Sequence, residues 1–300
     1  MTGASLVGQL FFDGMATGLV FVILACGFII IMSVNRIMFL AYGAFYTIGA
    51  YTTWYAITYL HIHYILGLAI GVSSASLVGL IAYALIFRRL KLKYGKRAFM
   101  STLIGSIGLQ MLINQTGVLL YGNQSRSIVN VFPGTFYFWN MHITVSRVVL
   151  IAMSVSVALV LFYFYRRTVI GRAMRAVSIR PDLAAVQGIN VNRIYLLSLG
   201  LGCALAGTGG GLLAPVYGMD TAMGANIVWV VMLGTMLGGM SNLMGAVVGA
   251  LIIGQVLSFG VFFMGSKIQL VIYVGIMILM YFRPGGILGR ELDLGVGMND

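Results

Sequence analysis

The strongly ionising residues of this chain fall in a few clusters, separated by runs without a single Asp, Glu, Lys or Arg. A helix needs about 20 apolar residues to cross the hydrocarbon of a bilayer, so the length of each run predicts how often it crosses. Gly14 to Asn35 holds one span, Ile37 to Phe87, at 51 residues, holds two with a turn near His61 and His63, and Ala98 to Ser125 holds another. Val148 to Tyr165 is a single span and Ile194 to Met219 another; Thr221 to Ser266, at 46 residues, holds two with a break near Ser241 and Asn242, and Ile268 to Phe282 is a short last one. The pattern predicts an all-α polytopic integral membrane protein, a single transmembrane domain over residues 1–300 with about nine transmembrane helices, eight to ten at the limits.

Composition agrees, with 60% hydrophobic and 8% charged residues against about 25% charged in soluble domains. A soluble globule, a disordered chain and a nucleic-acid binder are all excluded. The net charge of +12 sits in short loops, as expected of segments facing anionic lipid headgroups. Lys and Arg are retained on the cytoplasmic side. One cluster runs from Arg88 to Arg97 and a second from Arg166 to Arg193; with Arg36, Arg283 and Arg290 they place 15 of 18 basic residues inside. Arg126, Arg147 and Lys267 fall outside, which gives an external N-terminus and a cytoplasmic C-terminus. Nothing before Asp13 is basic, so the first span is expected to stay as a permanent helix. Cys26 and Cys203 lie inside apolar runs and are expected to be small buried hydrophobes.

The 40 glycines would destabilise soluble helices, but in lipid they let helix backbones approach. Gly14 and Gly18, Gly67 and Gly71, Gly207 and Gly211, Gly234 and Gly238, and Gly245 and Gly249 are each four apart, on one helix face. The stretch Gly207 to Gly211 followed by Pro215 predicts a broken or kinked helix lining a cavity. The polar residues inside spans are neutral: Gln110 and Asn114 at helical spacing, and Gln255 with Ser258. They either line a translocation path or act as hydrogen-bond glue between helices.

An ion-coupled secondary transporter is the alternative reading, and the lack of charge at span centres disfavours it. A membrane-embedded enzyme needs a clustered nucleophile, carboxylate or metal set, and the six acidic residues are scattered. No catalytic residue is assigned. His61, His63 and His142 have no carboxylate or thiol companion and are not expected to bind metal. No phosphate-binding loop G-x-x-x-x-G-K-[ST] is present, so the chain is not expected to hydrolyse ATP alone.

The segment from Arg166 to Arg193 is too polar to span and too apolar for a plain solvated loop. A short helix is expected from Pro181 to a stop at Gly188, capped by Asp182, with the small residues Ala184 and Ala185 suited to a partner's groove.

Gly171-Arg172-Ala173-Met174-Arg175-Ala176, then Gly188-Ile189-Asn190, then Ala206-Gly207, resemble the permeases of high-affinity branched-chain amino acid ABC importers, LivH type. So do Gly43 with Gly49-Ala50-Tyr51, Leu237-Gly238-Gly239 with Gly245-Ala246, and Arg283-Pro284-Gly285-Gly286-Ile287-Leu288-Gly289-Arg290. The likeness covers about Phe12 to Arg290. It implies an ABC importer permease in a bacterial inner membrane. The implied partners are a homologous second permease, two cytoplasmic ATPase subunits and a periplasmic or surface solute-binding protein. This chain would bind no cofactor, and ATP and Mg would be held by the ATPase subunits. The resemblance also implies that the loop from Gly171 to Asn190 contains the coupling helix, at about 181–188.

Two departures bear on the solute. Family members commonly show Asn-Phe-Ala-His-Gly-Glu where this chain has Phe39-Leu40-Ala41-Tyr42-Gly43-Ala44, and Gly-Ser-Ile-Pro-Gly where it has Ser241-Asn242-Leu243-Met244-Gly245. Tyr42 joins Gln110, Asn114 and Gln255 as a candidate for the path. Branched-chain amino acids, urea, short amides and an aromatic acid all remain open as solutes.

Overall fold

The computed structural model describes residues 3–94, 98–122, 124–128, 134–138, 141–239, 242–283 and 285–287. Lys96, Arg97, Ser241, Pro284 and Leu288 to Arg290 lie outside the described residues. The charge-free runs are helical. In order come α1 (Gly3–Asn35), α2 (Tyr42–Thr58), α3 (Tyr64–Ala82), a π-helical turn (Tyr83–Phe87) leading into α4 (Arg88–Tyr94), and α5 (Ala98–Tyr121). After a hairpin of β1 (Thr135–Phe138) and β2 (Met141–Thr144), which pairs Thr135 with Thr144, follow α6 (Val145–Arg167), α7 (Val169–Ile179) and α8 (Pro181–Val186). The chain ends in α9 (Val191–Tyr217), α10 (Met223–Gly238), α11 (Leu243–Met264) and α12 (Ile268–Phe282).

Among the described residues, six helices are long and apolar enough to cross a membrane, and α10 and α12 are shorter apolar helices. The expected nine would need these two and the 17-residue α2 to cross as well. The small hairpin is not foreseen by the hydrophobic pattern.

Two triplets share one pattern of neighbours. α1 packs along α11 as α3 packs along α9, α2 pairs with α3 as α10 pairs with α11, and α2 crosses α9 as α10 crosses α1. α1 and α9 are antiparallel, because Asn35 near the end of α1 donates to Ser198 near the start of α9 at 2.7 Å, while Thr17 meets Tyr217 at the opposite ends at 2.8 Å. Two triplets of opposite direction form the inverted-repeat plan of many transporters. Its sequence echo is Ala41-Tyr42-Gly43-Ala44 and Ala222-Met223-Gly224-Ala225, the starts of α2 and α10. Those starts touch: a Cβ on Gly43 would collide with the Gly224 carbonyl, and one on Gly224 with the Gly43 carbonyl.

The expected break in the glycine-rich span is corrected by the structure. α9 runs unbroken through Gly207 to Gly211 with Pro215 inside it. Pro215 has no N–H for the Gly211 carbonyl one turn back, and Tyr64 of α3 supplies a hydroxyl to it at 2.9 Å. The glycines serve packing instead: Gly207 lies against Gly49 and Ala75, Gly209 against Leu24, and Gly210 against the Tyr46 carbonyl.

Irregular backbone lies elsewhere, at residues 36–41 before α2 and 218–222 before α10. Arg36 leaves α1 in a left-handed conformation with φ of 53°. Ile37, Phe39 and Ala41 are buried. In lipid each unsatisfied peptide group costs several kcal/mol, so such a segment must find partners. Ser106 of α5 accepts from Leu40 N at 3.3 Å and reaches Met38 O at 3.5 Å. In the second segment, Met219 exchanges both backbone bonds with Arg126, at 2.7 and 2.9 Å.

Phe39 packs with Phe45 and Phe87, ring centroids 5.7 and 5.3 Å away. Tyr42 is fully buried, edge-on to Phe28, and donates to Leu24 O at 2.9 Å. Phe39, Tyr42 and Ala44, which depart from the first family motif, are therefore packed interior, whereas Asn242 and Met244 of the second are exposed. Cys26 and Cys203 are free and buried.

Candidate functional site

At one end of the bundle the loop from Thr168 to Asn190 folds into α7 and α8. Thr168 starts α7, its hydroxyl accepting from Gly171 N at 3.0 Å and donating to Phe164 O at 2.6 Å. Gly171 has to be small, since a Cβ there would press on the carbonyls of Phe164 and Tyr165. Met174 and Val177 bury one face of α7, and Arg172 is exposed.

Three cations at this end serve helix C-termini, whose last carbonyls have no partners within the helix and carry the negative end of its dipole. Arg175 donates to Tyr165 O and, at 3.4 Å, to Arg166 O at the end of α6. Arg36 donates to Ile179 O at 2.9 Å and Ser178 O at 3.3 Å at the end of α7. Lys91 donates to Asn35 O at 2.9 Å at the end of α1, with its ammonium 3.7 Å from the centre of the Tyr195 ring. Arg36 and Arg175 thus bind the loop helices to the membrane helices α1 and α6.

Asp182 does not cap α8. The N-cap is Arg180, without a side-chain bond, and Pro181 followed by Asp182 occupies the first turn, where the carboxylate opposes the positive end of the helix dipole. Ala184 is buried and Ala185 exposed. Gly188, with φ of 83°, ends the helix, and Asn190 caps α9 through Arg193 N at 3.2 Å. Ile179, Leu183 and Val186 are 74%, 56% and 86% exposed, an apolar ridge beside arginines.

The other end holds a cavity of about 600 Å³ between α1, α9, α10, α11 and α12. Its polar lining includes Asp13, Thr17, Arg147, Tyr217, Asp220 and Asn226. Asp13 forms an ion pair with Arg147 at the start of α6. Asp220 accepts from Ala222 N at 2.7 Å, where the irregular segment turns into α10. The sequence reading missed this set. Its span began at Gly14, one residue past the acid, whereas α1 extends back to Gly3 and encloses Asp13; a lone carboxylate in an apolar helix was the available signal.

None of the four candidate path residues lines this cavity. Tyr42 is interior. Gln110 and Asn114 share a stripe of α5 with Thr102 and Ser106. Gln255 donates to Phe11 O at 3.3 Å and Ser258 to Leu10 O at 2.7 Å, tying α11 to α1. The paired glycines of α10 and α11 face each other: Gly245 meets the Gly238 carbonyl and Gly249 the Gly234 carbonyl.

A bundle of inverted triplets with a cytoplasm-type basic loop at one end and a polar cavity at the other is a multi-pass membrane transport component. The family model described as "Branched-chain amino acid transport system / permease component" matches residues 10–281, and the chain belongs to that family. It is 28% identical to the high-affinity branched-chain amino acid transport system permease protein BraD of Pseudomonas aeruginosa, over 93% of this chain and 94% of that relative. It is 26% identical to the permease LivH of the corresponding system of Escherichia coli K12, over 94% and 95%. A more distant likeness, 31% identity over 59% of this chain and 52% of the relative, is to the fructose import permease protein FrcC of Rhizobium meliloti. The chain is thus an ABC importer permease and a multi-pass inner-membrane protein.

Proposed function

We propose that this permease moves a branched-chain amino acid or a closely related small solute from periplasm to cytoplasm by alternating access. The loop helices α7 and α8 are the docking platform for one of two cytoplasmic ATPase subunits, which bind the ATP and Mg. A homologous second permease completes the pore, an external solute-binding protein delivers the solute, and the chain itself is non-catalytic. The N-terminus is external and the C-terminus cytoplasmic.

The observation that carries this reading is the apolar ridge of Ile179, Leu183 and Val186 on a loop fixed to α1 and α6 by Arg36 and Arg175. Exposed aliphatic residues on a rigid mount form a surface built to be covered. The inverted triplets supply two bodies that can rock against each other.

The test is transport by the complex reconstituted in proteoliposomes. Uptake of labelled leucine should require ATP and the binding protein and should survive an ionophore that collapses ion gradients. Uptake that persists without ATP but stops with the ionophore would establish an ion-coupled transporter instead.

A further inference from the structure

The cavity at the Asp13 end has a graded lining. Along α1 it passes from Asp13 through Thr17 to Phe21, and along α9 from Tyr217 to Leu213. Each step is about one helical turn deeper, so charge sits at the mouth and Phe21, Leu213 and Val230 lie deeper and form an apolar floor. Two carboxylates, Asp13 and Asp220, and one guanidinium, Arg147, line the mouth, and Arg126 lies beside Asp220 through its backbone pair with Met219. Asp13 and Arg147 are only 21% and 28% exposed, so their charges are partly withdrawn from water.

That arrangement selects a particular solute chemistry. A carboxylate finds the planar fork of Arg147, which binds such groups in two-point fashion. An ammonium finds Asp13 and Asp220. A compact apolar group reaches the floor. An uncharged amide or urea matches none of these charges, and a simple amine or a simple acid matches only some of them. The geometry points to this cavity as a binding site within the permease itself for a zwitterionic α-amino acid with an apolar side chain. The solute carboxylate exchanges for Asp13 on Arg147, and its ammonium faces Asp13 and Asp220. This rests on the importer reading and adds to it a place where the permease, and not only the external binding protein, selects the solute.

The test uses the purified permease–ATPase complex in lipid nanodiscs, without binding protein or ATP, and equilibrium binding of tritiated L-leucine. Saturable binding is expected, displaced by unlabelled leucine but not by isoamylamine, which lacks the carboxylate, or by 4-methylpentanoate, which lacks the ammonium. Arg147→Gln and Asp220→Asn should each weaken binding about tenfold or more, the scale of a lost charge-assisted hydrogen bond. The exchange Asp13→Arg with Arg147→Asp keeps an ion pair across α1 and α6; it should fold as the original does and still lose leucine affinity. The inference is overturned if leucine binding does not saturate, if the amine or the acid competes as well as leucine, or if the Arg147→Gln complex binds leucine unchanged. If any of these occurs while ATP-dependent uptake persists, the cavity assignment falls and the importer reading stands.

Discussion

The Tyr64 hydroxyl donates to the Gly211 carbonyl at 2.9 Å, and Gly211 is the residue whose carbonyl Pro215 cannot bond. One side chain on α3 thus repairs the hydrogen-bond ladder of α9. Tyr64→Phe should destabilise the purified protein by roughly 1 kcal/mol, the scale of an interhelical hydrogen bond in a membrane. Pro215→Ala restores the helix's own N–H, so in that background Tyr64→Phe should cost less. Thermal unfolding of the four proteins of this cycle in one detergent gives the coupling; additive effects would mean that the hydroxyl and the proline act independently.

Gly245→Leu should separate α10 from α11, since even a Cβ at Gly245 would press on the Gly238 carbonyl. Monodisperse yield in detergent should fall sharply. Gly275→Leu, at a position with nothing within 4 Å of a Cβ, should leave the yield of the isolated chain unchanged and is the control.

Ala185 is exposed on α8, so Ala185→Arg should insert and fold normally. Loss of co-purifying ATPase subunits and of ATPase activity stimulated by the loaded binding protein is expected, because a bulky charge in a packed interface costs on the order of a few kcal/mol. Retention of both would move the docking surface elsewhere, with the basic loop from Arg88 to Arg97 next in line.

Cysteines placed one at a time at Lys93 and Arg175 should be labelled only from the cytoplasmic side, and those at Arg126 and Lys267 only from outside. The structure puts the loop helices and the Asp13 cavity at opposite ends of α1. Labelling of Arg126 and Arg175 from one side would break that arrangement.

The hydrophobic pattern made most helices legible. The run Ile268 to Phe282 is α12 to the residue, and the turn placed near His61 and His63 separates α2 from α3. The irregular segment at 36–41 was not legible, because Ile37, Met38, Phe39 and Leu40 are as apolar as any helix and their polar partner Ser106 lies far along the chain. The break that Gly207 to Gly211 followed by Pro215 suggests is absent for the converse reason, since the compensating hydroxyl belongs to another helix. The sequence shows Asp13 as one of six scattered acids and Arg147 as one of three external basic residues, and their meeting follows from the packing of α1 on α6 and not from any local spacing.

The contact of Gly43 on Gly224 restricts how this sequence can change. The α-carbon of each glycine rests against the carbonyl of the other with no side chain between them, so alanine, the smallest step available to a glycine, is already too large at either position. Neither hydrophobicity nor helix propensity decides what stands there; bare volume does. The two positions are locked together in mutational drift, since shrinking a partner that has nothing left to lose cannot compensate for growth at the other.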